Sequence, residues 1–166
     1  MVYHLLPDSD SRIDQFADDL AAARASSYPL LFAVYRLAQP EGEAELLLLD
    51  ALATSVGYNA LGSGWVEVPR RMAAKILTQI IGSELAYPEQ VVPRDRATDL
   101  ATRFLALFPK GARYYTNGAI SGDFAVYDLQ GAELLGWRSL SAAPFDNGIV
   151  ALGSERIAML WAEDAP

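Results

Sequence analysis

Apolar residues recur at helical spacing in three stretches of this 166-residue chain. The first follows the cap candidates Asp8, Ser9 and Asp10 and sets Ile13, Phe16, Ala17 and Leu20 on one stripe, predicting a helix that ends near Ser26. The second opens at Pro69, where a missing N–H is harmless at a helix start. It carries Met72, Ile76, Leu77, Ile80, Ile81 and Leu85 up to Pro88. The third follows Pro93 and aligns Ala97, Leu100, Ala101, Phe104, Leu105 and Phe108 before Pro109.

The remaining apolar segments are short and bounded by Pro, Gly or acidic residues, as strands are. They lie at 2–6, 30–37, 45–49 and 65–68, although 45–52 reads equally well as a helix. The C-terminal third predicts strands at 113–116, 124–129, 134–139, 149–152 and 156–161. The turn signals Asn117-Gly118, Gln130-Gly131, Asp146-Asn147-Gly148 and Gly153-Ser154 separate them. Phe124, Val126 and Leu129, and likewise Ile157, Met159 and Trp161, recur at about every second position, which predicts a sheet buried on one face. The expected architecture is a single α+β domain over 1–166, a C-terminal antiparallel β-meander covered by about three amphipathic helices. No internal repeat, low-complexity tract or linker divides the chain.

Composition sharpens this picture. With 52% hydrophobic and 20% charged residues the chain is globular, and a chain of this length buries roughly 70% of its unfolded surface. No apolar run approaches the about 18 residues needed to span a bilayer. Residues 1–7 have no basic segment ahead of their short apolar stretch, so a cytoplasmic location is expected. The chain has no cysteine and one histidine, His4. That removes most catalytic templates, since thiol chemistry, metal sites and Ser-His-Asp arrangements all draw on Cys or His as ligands or as proton acceptors near neutral pH. No catalytic residue, metal or cofactor is expected, and binding is a better first reading than catalysis.

Motifs add exclusions. Leu61-Gly-Ser-Gly-Trp65 lacks the glycine two residues before the serine that a nucleophile elbow needs, Glu67 stands where a dinucleotide fingerprint needs its third glycine, and no phosphate loop is present. His4 has no second His or Cys to join it, so it reads as a packed or edge residue.

The net charge of −8 is unevenly spread. Residues 1–66 hold nine acids against three bases, residues 67–108 carry a net +1, and residues 109–166 a net −3. Such a field repels nucleic acid and anionic membranes and attracts basic surfaces; plain solubility explains it equally well.

Three constellations remain. Asp10, Asp14 and Asp18 stack at i, i+4 and i+8 on the first helix with Asp19 beside them, at about 0.2–0.5 kcal/mol of repulsion per pair. They form either a solvated outer face or a negative ridge for Arg and Lys of a partner. Arg70 and Arg71 sit at a helix start, where cations oppose the dipole unless an anion or Glu67 compensates; an internal salt bridge to the acidic N-terminal third is the plainer reading. Tyr115, Trp137 and Arg138 in the meander have hot-spot chemistry or are ordinary cross-strand packing, and adjacent Tyr114 and Tyr115 should face opposite sides, one in the core and one exposed or over a cleft. Asp123, Asp128, Glu133 and Asp146 are candidates for a carboxylate pair, though each adjoins a turn.

The expected function is an acidic protein-binding domain, an inhibitor or immunity-type partner of a basic toxin or nucleic-acid enzyme, bound through Asp10, Asp14, Asp18 and Asp19. The alternative is a small-molecule-binding protein or carboxylate-based hydrolase with a cleft between the meander and the second helix, using Arg70, Arg71, Tyr115, Trp137 and Arg138. A homodimer formed through the aromatics is a third option.

Overall fold

A computed structural model describes residues 5–25, 27–37, 45–86, 89–120 and 124–165. Its frame is a six-stranded antiparallel sheet in the order β1-β2-β6-β5-β4-β3. In chain order the elements are β1 (Leu5–Pro7), α1 (Ser11–Ala23), β2 (Leu31–Leu37), α2 (Glu45–Ser55) and, after a 3₁₀ turn at Gly62–Gly64, β3 (Val66–Val68). They continue with α3 (Arg70–Gly82), α4 (Arg94–Leu105), β4 (Arg113–Thr116), β5 (Phe145–Leu152) and β6 (Arg156–Asp164). The fold is α+β: β4, β5 and β6 form an antiparallel meander, and α1, α3 and α4 cover one face of the sheet. No helix among the described residues is long and apolar enough to cross a membrane.

The other face is covered as well, contrary to the one-sided sheet expected from alternation. Ile149, Ala151, Ala158, Leu160 and Ala162 face α1, α3 and α4, while Val150, Leu152, Ile157, Met159 and Trp161 face α2. Every second residue is apolar, and so are those between, because α2 and the segment around Leu61 and Trp65 close the far side. The small residues Ala151, Ala158 and Ala162 are on the face that α3 crosses.

Local sequence explains the helix ends. Asp10, in extended conformation, accepts the Ile13 N–H at 2.9 Å and starts α1. The helix stops at Ala23, short of Ser26, which is outside the described residues. Arg24 turns inward there, donating to the carbonyls of Tyr28 at 2.8 Å and of Ile80 and Ile81 at the end of α3. Helix α3 ends at Gly82 rather than reaching Leu85, because the chain folds back through a Ser83–Gln90 bridge. A methyl group on Gly82 would stand 3.2 Å from the Ala97 Cβ, so the small pair sets the close approach of α3 and α4.

Three predicted strands and one predicted turn are revised. Residues 45–49 begin α2, with Leu48, Leu49, Leu52 and Ala53 buried along one stripe, so the helical alternative is the one adopted. Residues 124–129 and 134–139 are outside the sheet. They fold into a ribbon held by the isolated pair Tyr127–Glu133, the Gly118–Trp137 bridge and the Leu134 N–H to Val126 carbonyl bond of 2.8 Å. Asp146-Asn147-Gly148, read as a turn, is inside β5. Gly148 is there for close approach: a Cβ on it would come within 2.2 Å of the Leu160 carbonyl and 2.6 Å of the Trp161 ring.

Gly148→Ala is therefore expected to lower unfolding free energy by about 3 kcal/mol or to block folding. Gly136→Ala, which meets nothing within 4 Å, should stay within about 0.5 kcal/mol of the parent. Urea midpoints of the two variants check the contrast.

Candidate functional site

The acids of α1 divide into two groups. Asp10 caps the helix and also faces Arg156 at 3.4 Å, while Asp19 accepts from Arg103 at 2.8 Å and Gln15 at 3.0 Å. The cap bond to Ile13 holds Asp10 below the usual carboxylate range, and the Arg103 bond does the same for Asp19. Asp14 and Asp18 face solvent, Asp14 accepting from the Ser9 hydroxyl at 2.9 Å. Two of the four predicted acids are thus engaged in holding the fold, and two are turned outward.

Arg70, Arg71, Tyr115, Trp137 and Arg138 are not brought together. Arg70 donates to the Tyr114 hydroxyl at 2.8 Å on the α3 side of the sheet, and Arg71 is exposed. Trp137 stacks on Phe145 with centroids 6.1 Å apart, while Arg138 lies against Gly64, whose missing side chain makes room for the guanidinium. Tyr115 is on the α2 side. Tyr114 and Tyr115 do face opposite ways, but both are buried, because helices cover both faces. Of the candidate carboxylate pair, Asp146 is fully buried and Asp128 accepts the turn N–H groups of Gln130 and Ala132, each at 2.9 Å. Asp123 and His4 fall outside the described residues.

The titratable groups that do converge are Glu45, Glu67, Arg113 and Tyr115. Antiparallel register sets Glu67 of β3 directly opposite Tyr115 of β4, and the first residue of α2, Glu45, reaches Arg113 and Tyr115 of β4. One oxygen of the Glu45 carboxylate takes the Arg113 guanidinium and the other takes the Tyr115 hydroxyl. The Arg113 bond pulls the Glu45 pKa down, whereas partial burial, with Glu45 as a like charge, pushes Glu67 up. Burial, followed by the bond to Glu45, raises Tyr115. Glu67 is thus on the Tyr115 side of the sheet and Arg70 on the Tyr114 side, so the compensation considered between them is not made. Of the two carboxylates in this group, Glu67 is the one whose ionised form the fold disfavours.

The same edge carries exposed apolar side chains. In the ribbon Val126 and Leu134 turn into the core, leaving Tyr127, Glu133 and Leu135 on its outer side. Leu135 is 90% exposed and Leu129, at the tip, 48%. The Leu129 N–H donates to the Glu67 carbonyl at 3.2 Å, which ties the ribbon to the edge strand β3. Sequence reasoning missed this surface because it placed 124–129 and 134–139 inside the sheet, with Leu129 on its buried face.

Away from the edge, three buried or half-buried carboxylates are structural. Asp146 accepts from the N–H groups of Leu140 and Ser141, the Ser141 hydroxyl, Asn117 and Trp161, at 2.9–3.2 Å. Asp50 accepts from Leu61, Gly62 and Trp65. Asp164 accepts from Leu85 and Ala86, both at 2.9 Å. Among the described residues no cluster of three His, Cys, Asp or Glu side chains could hold a metal ion. No protein-family model matches the chain, and neither does any curated protein or solved structure.

The opposite shifts at the edge give opposite pH dependences. A raised Glu67 contributes stability below its ordinary value of 4.5 and loses it as pH rises through the folded value. Glu67→Gln should therefore raise the urea midpoint at about pH 7.5, by less than about 1 kcal/mol, with the gain gone by about pH 4. A lowered Glu45 contributes above its ordinary 4.5 and loses that contribution as pH falls. Glu45→Gln should then lower the midpoint at neutral pH.

Proposed function

We propose that this chain is a protein-binding domain that takes a basic partner, as an inhibitor or immunity-type protein takes a cationic toxin or nucleic-acid enzyme. The observation that carries the reading is the outer side of the 124–139 ribbon, where Tyr127, Leu129 and Leu135 are exposed among Asp128 and Glu133 and beside Glu67. Large exposed apolar side chains rimmed by charge mark interaction sites, and central apolar anchors carry most of the energy in such interfaces. Glu67 adds the sign of the partner's charge. Its carboxylate is partly desolvated beside Glu45 while Arg113 is already bonded to Glu45. An incoming Arg or Lys would stabilise the ionised form.

The outward Asp14 and Asp18 of α1 extend the negative field, which speeds encounter with a cation more than it strengthens the bound state. Hence the two acidic regions should differ in what they do to rates. A second reading, a carboxylate-based hydrolase, draws on the same Glu45 and Glu67. Their pKa values are pushed apart, as an acid and a base require. It predicts that Glu67→Gln abolishes turnover, whereas the binding reading predicts only weaker capture.

The test is capture from cells of the source, with native mass spectrometry at low and high salt. A stoichiometric basic polypeptide is expected, released at high salt. Leu135→Asp should weaken it at least about 30-fold, chiefly through faster dissociation. Asp14→Arg with Asp18→Arg should slow association about tenfold or less. Capture that survives Leu135→Asp and Glu67→Arg unchanged would remove this surface from consideration.

A further inference from the structure

A cavity of about 650 Å³ lies between α3 and α4, within the about 300–1,000 Å³ of small-ligand sites. Its chemistry is opposite to that of the chain as a whole. Lys75 from α3 and Arg94 from α4 line it with the side-chain amides of Gln79 and Gln90, and no Asp or Glu is among its described lining residues. Neither Lys75 nor Arg94 makes an ion pair among the described residues. In a protein of net charge −8, two cations that share a concavity with no carboxylate among its described lining residues are set for an anion from outside. The remaining lining mixes Thr78, Ser83 and Thr98 with an apolar part: half-buried Phe124 enters from the start of the ribbon, and the close Gly82–Ala97 contact belongs to the floor. Gly82 has no side chain to fill the space.

We infer that this cavity binds a small organic anion, with a phosphate or carboxylate head between Lys75 and Arg94 and an apolar or aromatic body against Phe124. The site is separate from the docking surface on the ribbon's outer side and does not rest on it. Its position at the α3–α4 seam couples it to the packing of those two helices.

Phenyl phosphate is the probe, titrated at low ionic strength and followed by amide chemical shifts. Saturable shifts confined to α3, α4 and residues near Phe124 are expected. Lys75 and Arg94 are exposed, so Lys75→Glu and Arg94→Glu should fold normally, checked by circular dichroism, and each should weaken binding about tenfold. Lys110→Glu makes the same charge change beyond the far end of α4, at least about 18 Å of helix away, and should leave affinity within about twofold. Phe124→Ala should weaken phenyl phosphate and leave inorganic phosphate unchanged. Benzoate tested in parallel tells the two head groups apart, and saturable binding of either supports the class. The proposal is overturned by absence of saturable shifts at about 10 mM, by equal loss in Lys110→Glu, or by equal binding of benzylammonium.

Discussion

The pairing of β5 with β6 is the interaction on which the other elements depend. From Phe145–Asp164 to Leu152–Ile157 the two strands run as one hairpin, and nearly every side chain along it is shielded on both faces. Burying an antiparallel pair twice removes its hydrogen bonds from water and lets each strand carry two cores. The β1–β2 pair attaches through β2 to β6, and the β3–β4 pair attaches through β4 to β5. Trp161 then occupies one core, edge-on to Trp65 at 6.0 Å, while Leu160 and Ala162 feed the other. Gly148 is the counterpart of Trp161, since only a residue without Cβ fits opposite that ring.

A doubly covered pair tolerates polar groups only if they are fully partnered. Asp146, Asn147 and Asn117 meet that condition within one network, which also recruits the Trp161 indole and the N–H groups of Leu140 and Ser141. The same bonds draw the segment after the ribbon back onto β5, so the ribbon is projected outward between two fixed ends. Arg24 performs a similar role at the other face, joining the end of α1 to the end of α3, although its Nε has no partner among the described residues.

Charge is divided between these structural tasks and the surface. Asp8, Asp10, Asp19, Asp50, Asp146 and Asp164 are all bonded to internal donors, which accounts for much of the acidity without any partner. Outside that account are Asp14 and Asp18 on α1, Glu84 and Glu89 after α3, Asp95 and Asp99 on α4, Glu155 and Glu163 at the ends of β6, the acids of the ribbon, and Glu67 at the β3 edge. Lys75 of α3 and Arg94 of α4 line a cavity that has no carboxylate among its described lining residues. The chain is therefore less uniformly acidic than its net charge implies, and its surfaces differ in the partners they favour.

The three amphipathic helices, the meander and the α+β class are determined by the sequence, because 3.6-residue periodicity, prolines and caps act within a few residues of one another. The leucine-rich start of α2 and the Asp146-Asn147-Gly148 stretch of β5 were decided by tertiary packing. A leucine run suits either element until something covers it, and a turn-forming triplet can serve as strand when a distant tryptophan needs space and distant amides need a carboxylate. The candidate sites follow the same division. That the chain is acidic and lacks cysteine, with a single histidine, and that Asp10 can cap the first helix could be read directly; that Asp10 also faces Arg156, that Asp19 bonds Arg103, that Glu67 meets Glu45, and that Lys75 and Arg94 share a cavity could not. Each of those facts depends on which residues far apart in the chain are brought into contact, and contact is set by register and helix docking rather than by local pattern.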